Sequence, residues 1–451
     1  MFFCLETKEP KIQGLPGNLD KTKVRFFVRP ATGRTSHAIA TNLHLVLFTK
    51  FPEGRSTNIN FNAIVMNKPA LVAGLIFSIS TVSSQPVQNI IPAAVQTQKY
   101  FPLLKDKRIA LLANQTSLIG TNHLLDTLLK SGFNVKKIFC PEHGFRGNID
   151  AGEKVKTIVD SSTKIRIISL YGKHFKPKPS ELNDVDIVLM DIQDVGVRFY
   201  TYLSTLHYMM EACAENNKKL IILDRPNPNS FYIDGPVLDL KYKSFVGLHP
   251  VPIVYGMTIG EFAQMINGEK WLKNGLHCNL MVIRCENYSH KDRYQLPVHP
   301  SPNLLNMQSV YLYPSLALFE GTCMNVGRGT AFPFQTFGHP LLKNADFTYT
   351  PKISKQSPNP LHQDELCYGL DLRNYILPDS DKFTLRWLIF AYKNFPDQKE
   401  FFNAFFYNLS GNNKLIQQIK EGLSEEEIKK RWKEEIDKFI IVRKKYLIYG
   451  E

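Results

Sequence analysis

The chain has 451 residues, and its 55 Lys and Arg against 41 Asp and Glu give a formal net charge of +14. This length predicts two packed domains, or one large α/β domain with a satellite. A content of 43% hydrophobic and 21% charged residues is typical of a folded globular chain. It excludes a largely disordered, collagen-like or multi-span membrane protein. The basic residues are dispersed, so small anionic substrates fit the charge as well as nucleic acid does.

The first 85 residues predict an exported protein. Residues 1–65 show no sustained helical or strand periodicity. A short positive start at Met66-Asn67-Lys68 is followed by an apolar run over residues 70–79 and by small residues near Ser84. This layout is typical of a secretory signal peptide, and its apolar run is too short to cross a bilayer. We therefore expect a non-native or disordered extension over residues 1–65 and a signal peptide over residues 66–84. The mature chain would then be periplasmic or secreted, without a transmembrane segment. The alternative is a genuine extension followed by a short core helix.

From residue 107 onward, short apolar runs alternate with longer amphipathic ones, which predicts βαβ units around a parallel sheet. The predicted strands are Arg108–Ala113, Val135–Cys140, Ile165–Leu170, Asp186–Asp191 and Leu220–Leu223. The predicted helices are Thr121–Ser131, Tyr200–Asn216 and Thr258–Asn267, with a last one that begins at a capping box on Ser424. The pattern predicts a Rossmann-like doubly wound domain over residues 85–240 and a smaller C-terminal α/β domain over residues 241–451.

Several chemistries are excluded by missing motifs. No GxGxxG follows the first predicted strand, so we expect no dinucleotide cofactor. GxSxG, HExxH, a phosphate loop and an EF-hand loop are also absent. The seven cysteines form no CxxC pair and lie mostly among apolar residues, which favours buried thiols. Cys140, Glu142 and His143 are possible metal ligands, but no second cluster at a diagnostic spacing accompanies them, so we predict no metal.

Polar residues concentrate just after the predicted strands, where open parallel sheets bind their ligands. They include Asn114, Glu142, His143, Arg146, Glu153, Asp191, Asp194, Arg198, Tyr200 and Asp224. Carboxyl groups opposite an Arg and aromatic rings suit a sugar, because rings pack on pyranose faces and an acid can protonate a glycosidic oxygen. For Asp194 and Asp224, a helix cap or turn contact is an equal alternative. Glu142 has no evident capping task, which favours a functional role.

The second predicted domain contributes two further candidates. Asn303 closes a Pro-rich segment, and Arg328 lies between Gly327 and Gly329. Flanking glycines allow close backbone approach to a ligand, while a guanidinium can bind a carboxylate bidentately. A tight turn with a solvated Arg is the alternative.

A series of ordered motifs resembles the NamZ-type exo-β-N-acetylmuramidases, a glycoside hydrolase family that was long a bacterial domain of unknown function. The resemblance covers the chain from about residue 100 to its end. It is carried by the strings LLANQTS, PEHGFRGNIDAGE, SLYG, DIQDVGVRFYTY, LDRPNP, DGPVLD, PSPN, YPSLALFEGT and GRGTAFPF. The resemblance implies a Rossmann-like domain plus a smaller α/β domain, with a sugar site between them and no cofactor. It also implies release of N-acetylmuramic acid from the non-reducing end of peptidoglycan fragments, a saccharide substrate and not nucleic acid.

The resemblance also implies roles for individual residues. Glu142 matches the catalytic acid, and the further catalytic candidates are Glu153, Asp191 and Asp194. The substrate-binding candidates are Asn114, His143, Arg146, Arg198, Tyr200, Asn303 and Arg328. A non-catalytic envelope protein that binds muropeptides is the alternative from another class. Amidase or esterase chemistry is a third reading, and the sequence offers no recognisable nucleophile for it.

Overall fold

The computed structural model describes residues 42–50, 56–64, 89–146, 158–378 and 382–451. The chain divides into two compact units, Met1–Gln85 and Pro86–Glu451. In the first unit, strands β1 (Asn42–Lys50) and β2 (Ser56–Ile64) pair antiparallel. No regular element was predicted there, although apolar and polar residues alternate along the sequence of β2. The predicted signal peptide over residues 66–84 lies outside the described residues.

The second unit contains the remaining elements. Its strands are β3 (Arg108–Ala113), β4 (Leu118–Ile119), β5 (Asn122–His123), β6 (Asn134–Cys140), β7 (Ile158–Val159), β8 (Arg166–Ser169), β9 (Ile187–Asp191), β10 (Lys219–Leu223), β11 (Asn279–Ile283), β12 (Thr336–His339), β13 (Phe347–Tyr349) and β14 (Cys367–Asp371). Its helices are α1 (Thr97–Leu104), α2 (Leu124–Lys130), α3 (Pro179–Leu182), α4 (Tyr202–Glu215), α5 (Ile259–Gly268), α6 (Met307–Leu316), α7 (Arg386–Asn394), α8 (Phe406–Ser410), α9 (Lys414–Lys420) and α10 (Glu425–Arg443).

A seven-stranded sheet with the order β11-β10-β9-β3-β6-β8-β7 forms the centre of this unit. All neighbouring strands are parallel except β7, which pairs antiparallel with β8. Numbered along the chain, the six parallel strands have the order 3-2-1-4-5-6, which is the Rossmann arrangement. The order reverses between β3 and β9, whose last residues Ala113 and Asp191 are register partners. The predicted Rossmann-like doubly wound class is therefore confirmed.

Helices cover both faces of the sheet because successive side chains of β3 point to opposite sides. Ile109 and Leu111 pack with residues of α1 and α2 in one apolar cluster. Ala110 and Leu112 pack in the other cluster, which also contains residues of α4 and α5. That second cluster continues without a break into the C-terminal part of the chain, where it includes Phe319 and Trp387. The two domains consequently share one core.

The C-terminal part combines an antiparallel sheet, in the order β12-β14-β13, with helices α7 to α10. Helix α10 begins at the predicted capping box: Ser424 Oγ accepts a hydrogen bond from Glu427 N, and the Glu427 carboxylate accepts one from Ser424 N. Its apolar face buries Ile428, Trp432 and Phe439. A second, smaller α/β domain was expected here, and this architecture agrees with it.

The predicted elements match the structure to within a few residues, with two differences. The helix expected from residue 121 begins at Leu124, because Asn122 and His123 first pair with β4. Strand β11 lies beyond residue 240, so the parallel sheet extends past the expected domain boundary. Among the described residues, no helix combines the length and the apolar character needed to cross a membrane.

Candidate active site

The loops after β3, β9 and β10 meet at the point where the strand order reverses. Gln193 N donates to Thr116 Oγ1 at 3.0 Å, and Gln193 Nε2 donates to the Pro226 carbonyl at 2.8 Å. Ser117 Oγ also donates to the Asp191 carbonyl oxygen. Polar groups predicted to converge at the carboxyl edge of the sheet therefore lie together, as expected for a ligand site of this fold.

Glu142 follows β6 at this edge and is 7% exposed. Thr201 Oγ1 donates to Glu142 Oε2 at 2.7 Å. The next two residues turn the chain sharply, since His143 and Gly144 have φ angles of 69° and 74°. A left-handed His is uncommon, so this sharp turn is an unusual feature of the loop. The structure thus presents a buried carboxyl group with a hydroxyl donor at the carboxyl end of the sheet.

Cys140, at the end of β6, lies in the interior of the sheet. Its Sγ lies 3.7 Å from the Ile168 carbonyl oxygen, and burial raises the pKa of the thiol to about 12. Metal binding requires the thiolate, so this environment opposes a metal role for Cys140. Within the described ranges, no group of three or more His, Cys, Asp or Glu side chains is placed to hold a metal ion.

Asp194 is a second buried carboxyl group near this edge. Its Oδ2 accepts hydrogen bonds from Gly196 N at 2.7 Å and from the Tyr255 hydroxyl. Its Oδ1 is buried and has no hydrogen-bond partner among the described residues. Burial raises the pKa of Asp194 to about 6. Gly196 is required at φ 77°, because a Cβ there would meet the Asn227 side chain at 2.1 Å.

Asp191 was a predicted catalytic residue, but its contacts are those of a structural ion pair. Arg225 Nε donates to Asp191 Oδ1 at 2.5 Å, and Arg225 Nη2 donates to Oδ2 at 2.8 Å. Asp191 is completely buried. Because both oxygens are taken by one guanidinium, the pair holds the ends of β9 and β10 together.

The Asp224 carboxylate also forms its hydrogen bonds with other groups of the protein. Its carboxylate accepts hydrogen bonds from Thr258 Oγ1 at 2.7 Å, Gly260 N at 2.9 Å and the Tyr449 hydroxyl at 2.7 Å. Burial raises the pKa of Asp224 to about 6. The capping alternative considered for this residue agrees with its contact to the first turn of α5.

Two tyrosines connect the sheet edge with the Pro-rich segment of the chain. Tyr200 donates to the Pro300 carbonyl at 2.8 Å, and the Tyr202 hydroxyl does so at 3.3 Å. Asn114 Nδ2 donates to the Tyr202 hydroxyl at 2.9 Å, and Asn114 Oδ1 accepts from Thr116. Asn114 therefore supports Tyr202, which is a different task from the predicted contact with substrate.

Arg198, the guanidinium predicted for substrate binding after β9, has structural contacts instead. Its Nη1 donates to the carbonyl oxygens of Pro236 and Val251 at 2.8 and 2.9 Å. Its Nη2 donates to the Leu409 carbonyl at 2.8 Å, and the side chain is 2% exposed. The guanidinium thus connects the sheet edge to α8. Arg328 is therefore the better candidate for binding a ligand carboxylate.

Arg328 is partly exposed and lies beside a carboxylate of the same domain. Its Nε and Nη2 donate to Glu320 Oε1 at 3.0 and 2.7 Å. The guanidinium carbon is 5.2 Å from the centre of the Phe334 ring. Asn303, also predicted for substrate binding, is buried and donates to the Gln356 carbonyl at 3.3 Å.

Tyr313, on α6, lies between the groups of the two domains and was missed by the sequence analysis. Its ring centre is 5.9 Å from that of Tyr200 and 4.9 Å from that of Phe334. Burial raises the pKa of Tyr313 well above its usual range. The same phenol is within electrostatic reach of Glu320, Arg328, Glu142 and Asp194. Tyr313 therefore packs between Tyr200, which follows β9, and Phe334, whose ring also contacts Arg328.

Arg146 is the last of the predicted residues that the structure describes. Arg146 forms an ion pair with Asp160 at 3.2 Å and covers the Phe145 ring at 4.8 Å. Its side chain is half exposed, so it remains accessible. Glu153, the other predicted catalytic carboxylate, lies outside the described residues.

A Rossmann-like sheet whose switch point carries buried carboxyl groups beside aromatic rings defines a site suited to hydrolysis of a sugar. The chain belongs to the exo-β-N-acetylmuramidase NamZ family of glycosidases. The N-terminal domain of that family matches residues 109–308, and its C-terminal domain matches residues 311–449.

Known proteins agree with this family assignment. The chain is 37% identical to the peptidoglycan β-N-acetylmuramidase NamZ of Bacillus subtilis over 380 residues, which cover 78% of this chain and 89% of that protein. Two crystal structures of DUF1343 family proteins from Bacteroides fragilis are also similar. One has a TM-score of 0.75 at 47% identity, and the other 0.68 at 29%; each match covers 80% of this chain and 99% of the other.

Proposed function

We propose that this protein is an exo-acting muramidase that releases N-acetylmuramic acid from the non-reducing end of peptidoglycan fragments, in cell-wall turnover or recycling. The observation that carries the proposal is the buried Glu142 carboxyl, held by Thr201 at 2.7 Å at the switch point of the sheet. The name of the Bacillus subtilis relative supports the substrate class.

In this proposal Glu142 protonates the glycosidic oxygen as its bond to the anomeric carbon breaks, and water supplies the oxygen that bonds to that carbon in the product. Thr201 fixes one carboxyl oxygen, which orients the other toward the bond that breaks. Asp194 ionises as the pH rises through about 6. At neutral pH it therefore carries a negative charge close to Tyr200 and Tyr313, which favours the positive charge that develops on the sugar ring.

Arg328 is proposed to bind the lactyl carboxylate that distinguishes muramic acid from glucosamine. A planar guanidinium suits a carboxylate better than an ammonium group does. Glu320 holds Arg328 at 2.7 Å and keeps it oriented before substrate arrives. The proposed mature chain, residues 85–451, has 45 Lys and Arg against 37 Asp and Glu, and this positive charge favours the approach of an anionic fragment.

Export is part of the proposal and depends on the signal-like layout of residues 66–84. The six cysteines of the described chain are free thiols, and all but Cys323 are buried. Burial limits their oxidation in an oxidising compartment. N-terminal sequencing of the mature protein tests this part: a start near Gln85 supports export, whereas peptides from residues 1–65 contradict it.

A chromogenic β-glycoside of N-acetylmuramic acid tests the activity directly. Release of the chromophore by the purified protein, with no release from the matching N-acetylglucosaminide, is the expected result. Saturable binding of the muramic glycoside without turnover would instead identify a muropeptide-binding protein. The Glu142→Gln variant is the matched control that separates enzymatic release from a contaminating glycosidase.

A further inference from the structure

A cavity of about 300 Å³ lies between the segment that follows residue 235 and the helices α9 and α10. Its volume is at the lower end of the range of small-molecule sites. Its wall consists of residues 236–239 and 412–415 together with Gln418, Arg431, Trp432 and Glu435, all of which the structure describes. None of these residues was predicted from the sequence as part of a site.

Arg198 reaches from the loop after β9 to the wall of this cavity. Its Nη1 donates to the Pro236 carbonyl at 2.8 Å, and a Cβ at Gly411 would come within 2.7 Å of its Nη2. Pro236 belongs to the wall, and Gly411 directly precedes the part of the wall that begins at residue 412. The wall includes none of the candidate site residues, so a ligand in the cavity does not contact Glu142.

The backbone of Val237 offers an unpaired donor and acceptor in the cavity wall. Arg198 Nη1 donates to the carbonyl oxygens of Pro236 and Val251, and the Val251 carbonyl also accepts from Leu238 N at 3.2 Å. Successive peptide groups of an extended segment point to opposite sides, so those of Val237 point away from Arg198. Its N–H and C=O have no hydrogen-bond partner among the described residues. The segment therefore resembles the open edge of a sheet.

Two side-chain amides in the wall also have unused hydrogen-bonding groups. Asn412 Oδ1 accepts from Lys414 N at 2.9 Å and from Leu415 N at 3.0 Å, which fixes the amide and leaves Nδ2 without a partner in the described part of the chain. The Gln418 amide forms no hydrogen bond with any described residue, although Gln418 is only 8% exposed. Both of its polar atoms remain accessible to solvent. These amides can therefore bind the peptide groups of a ligand.

The wall carries charges of both signs. Asp239 and Glu435 are acidic, Lys414 and Arg431 are basic, and all four are exposed. Lys414 Nζ lies 3.9 Å from Glu435 Oε1, and such a long contact between exposed groups contributes little stability. A ligand that carries both a carboxylate and an ammonium group can therefore pair with both kinds of side chain. This distribution favours a zwitterionic ligand over a purely anionic one.

We propose that this cavity is a non-catalytic site that binds the short peptide of a peptidoglycan fragment in an extended conformation. One peptide group of the ligand pairs with the Val237 backbone, as in strand addition to a sheet edge. Further peptide groups pair with Asn412 and Gln418. The choice of peptide rests on the proposed function, because peptidoglycan fragments carry peptides with carboxylate and ammonium groups on their muramic acid. The site holds a fragment by its peptide and keeps the glycan close to the protein between turnovers.

Calorimetric titration of a free peptidoglycan tetrapeptide, with no sugar attached, into the full-length protein tests the proposal. One equivalent should bind, and saturating N-acetylmuramic acid should not displace it. Gln418→Leu removes the unpaired amide and should weaken binding about tenfold. Gln417→Leu changes the exposed neighbour on α9, which lies outside the cavity wall, and should keep the wild-type affinity.

A second pair of variants tests the pairing with the backbone. Val237→Pro removes the N–H donor, and an extended segment tolerates proline where no hydrogen bond of the N–H is lost. It should weaken peptide binding about tenfold relative to Val237→Ala, which shortens the side chain and keeps the N–H.

Hydrolysis of the chromogenic muramic glycoside separates this proposal from the proposed function. Gln418→Leu and Val237→Pro should leave kcat and KM unchanged, which also shows that both variants fold. Absence of peptide binding, displacement of the peptide by N-acetylmuramic acid, or equal affinities within either pair of variants would overturn the peptide site. Peptide binding by a wild-type protein that hydrolyses no muramic glycoside would refute the proposed function alone.

Discussion

Thr201 Oγ1 lies 2.7 Å from Glu142 Oε2, so the first residue before α4 fixes the carboxyl group that follows β6. If Glu142 is the general acid, Glu142→Gln should lower turnover of the muramic glycoside by about two to four orders of magnitude, because general acid catalysis contributes that much. Substrate binding should stay nearly unchanged, because glutamine is isosteric. Steady-state kinetics on a substrate with a poor leaving group checks this prediction.

The control for that experiment is Glu286→Gln, which removes a carboxylate that pairs with Lys99 at the surface. It should retain wild-type kinetics. If the Glu142→Gln variant keeps a tenth of the wild-type rate, Glu142 is not the general acid.

Arg328 and Arg198 should respond differently to truncation. Arg328→Ala should cost about 2 to 5 kcal/mol in transition-state binding for the muramic glycoside, when the closed site desolvates the carboxylate pair. The loss should nearly vanish for an N-acetylglucosaminide, which has no lactyl carboxylate. The measurement is kcat/KM on both sugars; equal losses on both would mean that Arg328 does not read the lactyl group.

Arg198→Ala should act on stability and not on sugar preference. It removes the Arg198 donor from three buried carbonyl oxygens, of which Val251 O keeps a second donor in Leu238 N, and each oxygen left without a donor costs about 1 to 3 kcal/mol. We expect a lower Tm and an unchanged ratio of kcat/KM between the two sugars. A changed ratio of kcat/KM at an unchanged Tm would instead mean that Arg198 takes part in substrate binding.

Asp191 and Arg225 form a buried ion pair, so we expect strongly non-additive changes in the free energy of unfolding when both are replaced. Asp191→Leu or Arg225→Met alone leaves an unpaired buried charge, which costs about 3 to 5 kcal/mol. The double variant removes both charges, so it should be clearly more stable than the Asp191→Leu variant. Urea unfolding of the three variants checks this; additive losses would contradict the structural role of the pair.

Asp194 predicts a pH-dependent difference in stability. Burial raises its pKa from an ordinary 3.8 to about 6 in the folded protein, so the folded state holds the proton more tightly. Wild-type stability should therefore fall as the pH rises from about 4 to about 6. Asp194→Asn keeps an acceptor for Gly196 N and the Tyr255 hydroxyl but does not ionise. Its free energy of unfolding relative to wild type should rise over that window, by up to about 3 kcal/mol.

Urea unfolding of both proteins at pH 4, 5, 6 and 7 gives this difference. Asp224, whose pKa is raised in the same direction, is present in both proteins and cancels. A difference that does not change with pH would mean that Asp194 titrates normally in the folded protein.

The central strands could be predicted because they are buried on both faces, and such strands read as continuous apolar runs. The predicted first strand has the bounds of β3. Strand β11 lies at the sheet edge, where its residues are only partly buried. It does contain an apolar run over residues 280–283, but this run follows residue 240, where the mixed pattern was interpreted as a second domain, so it was not assigned to the parallel sheet.

The direction of individual side chains explains why the predicted and observed contacts of the site residues differ. The sequence places Asp191, Asp194 and Arg198 after one strand, but it does not tell which of them turns inward. Arg198 is buried among carbonyl oxygens that come from distant segments, the farthest being Leu409. Tyr313 was missed because its apolar helical neighbours are typical of a core helix. The proximity of Glu142 to Thr201 depends on tertiary packing across 59 positions.

The hydrogen bond from Tyr449 to Asp224 joins residues that are 225 positions apart. Ribosomes add roughly 5 to 20 residues per second, so Tyr449 is synthesised on the order of ten seconds or more after Asp224. By that time, all the described parallel strands of the central sheet have already been synthesised. Final closure of the sheet edge is therefore a late event of biosynthesis, and a chain that stalls before Tyr449 would be a natural substrate for chaperones and proteases.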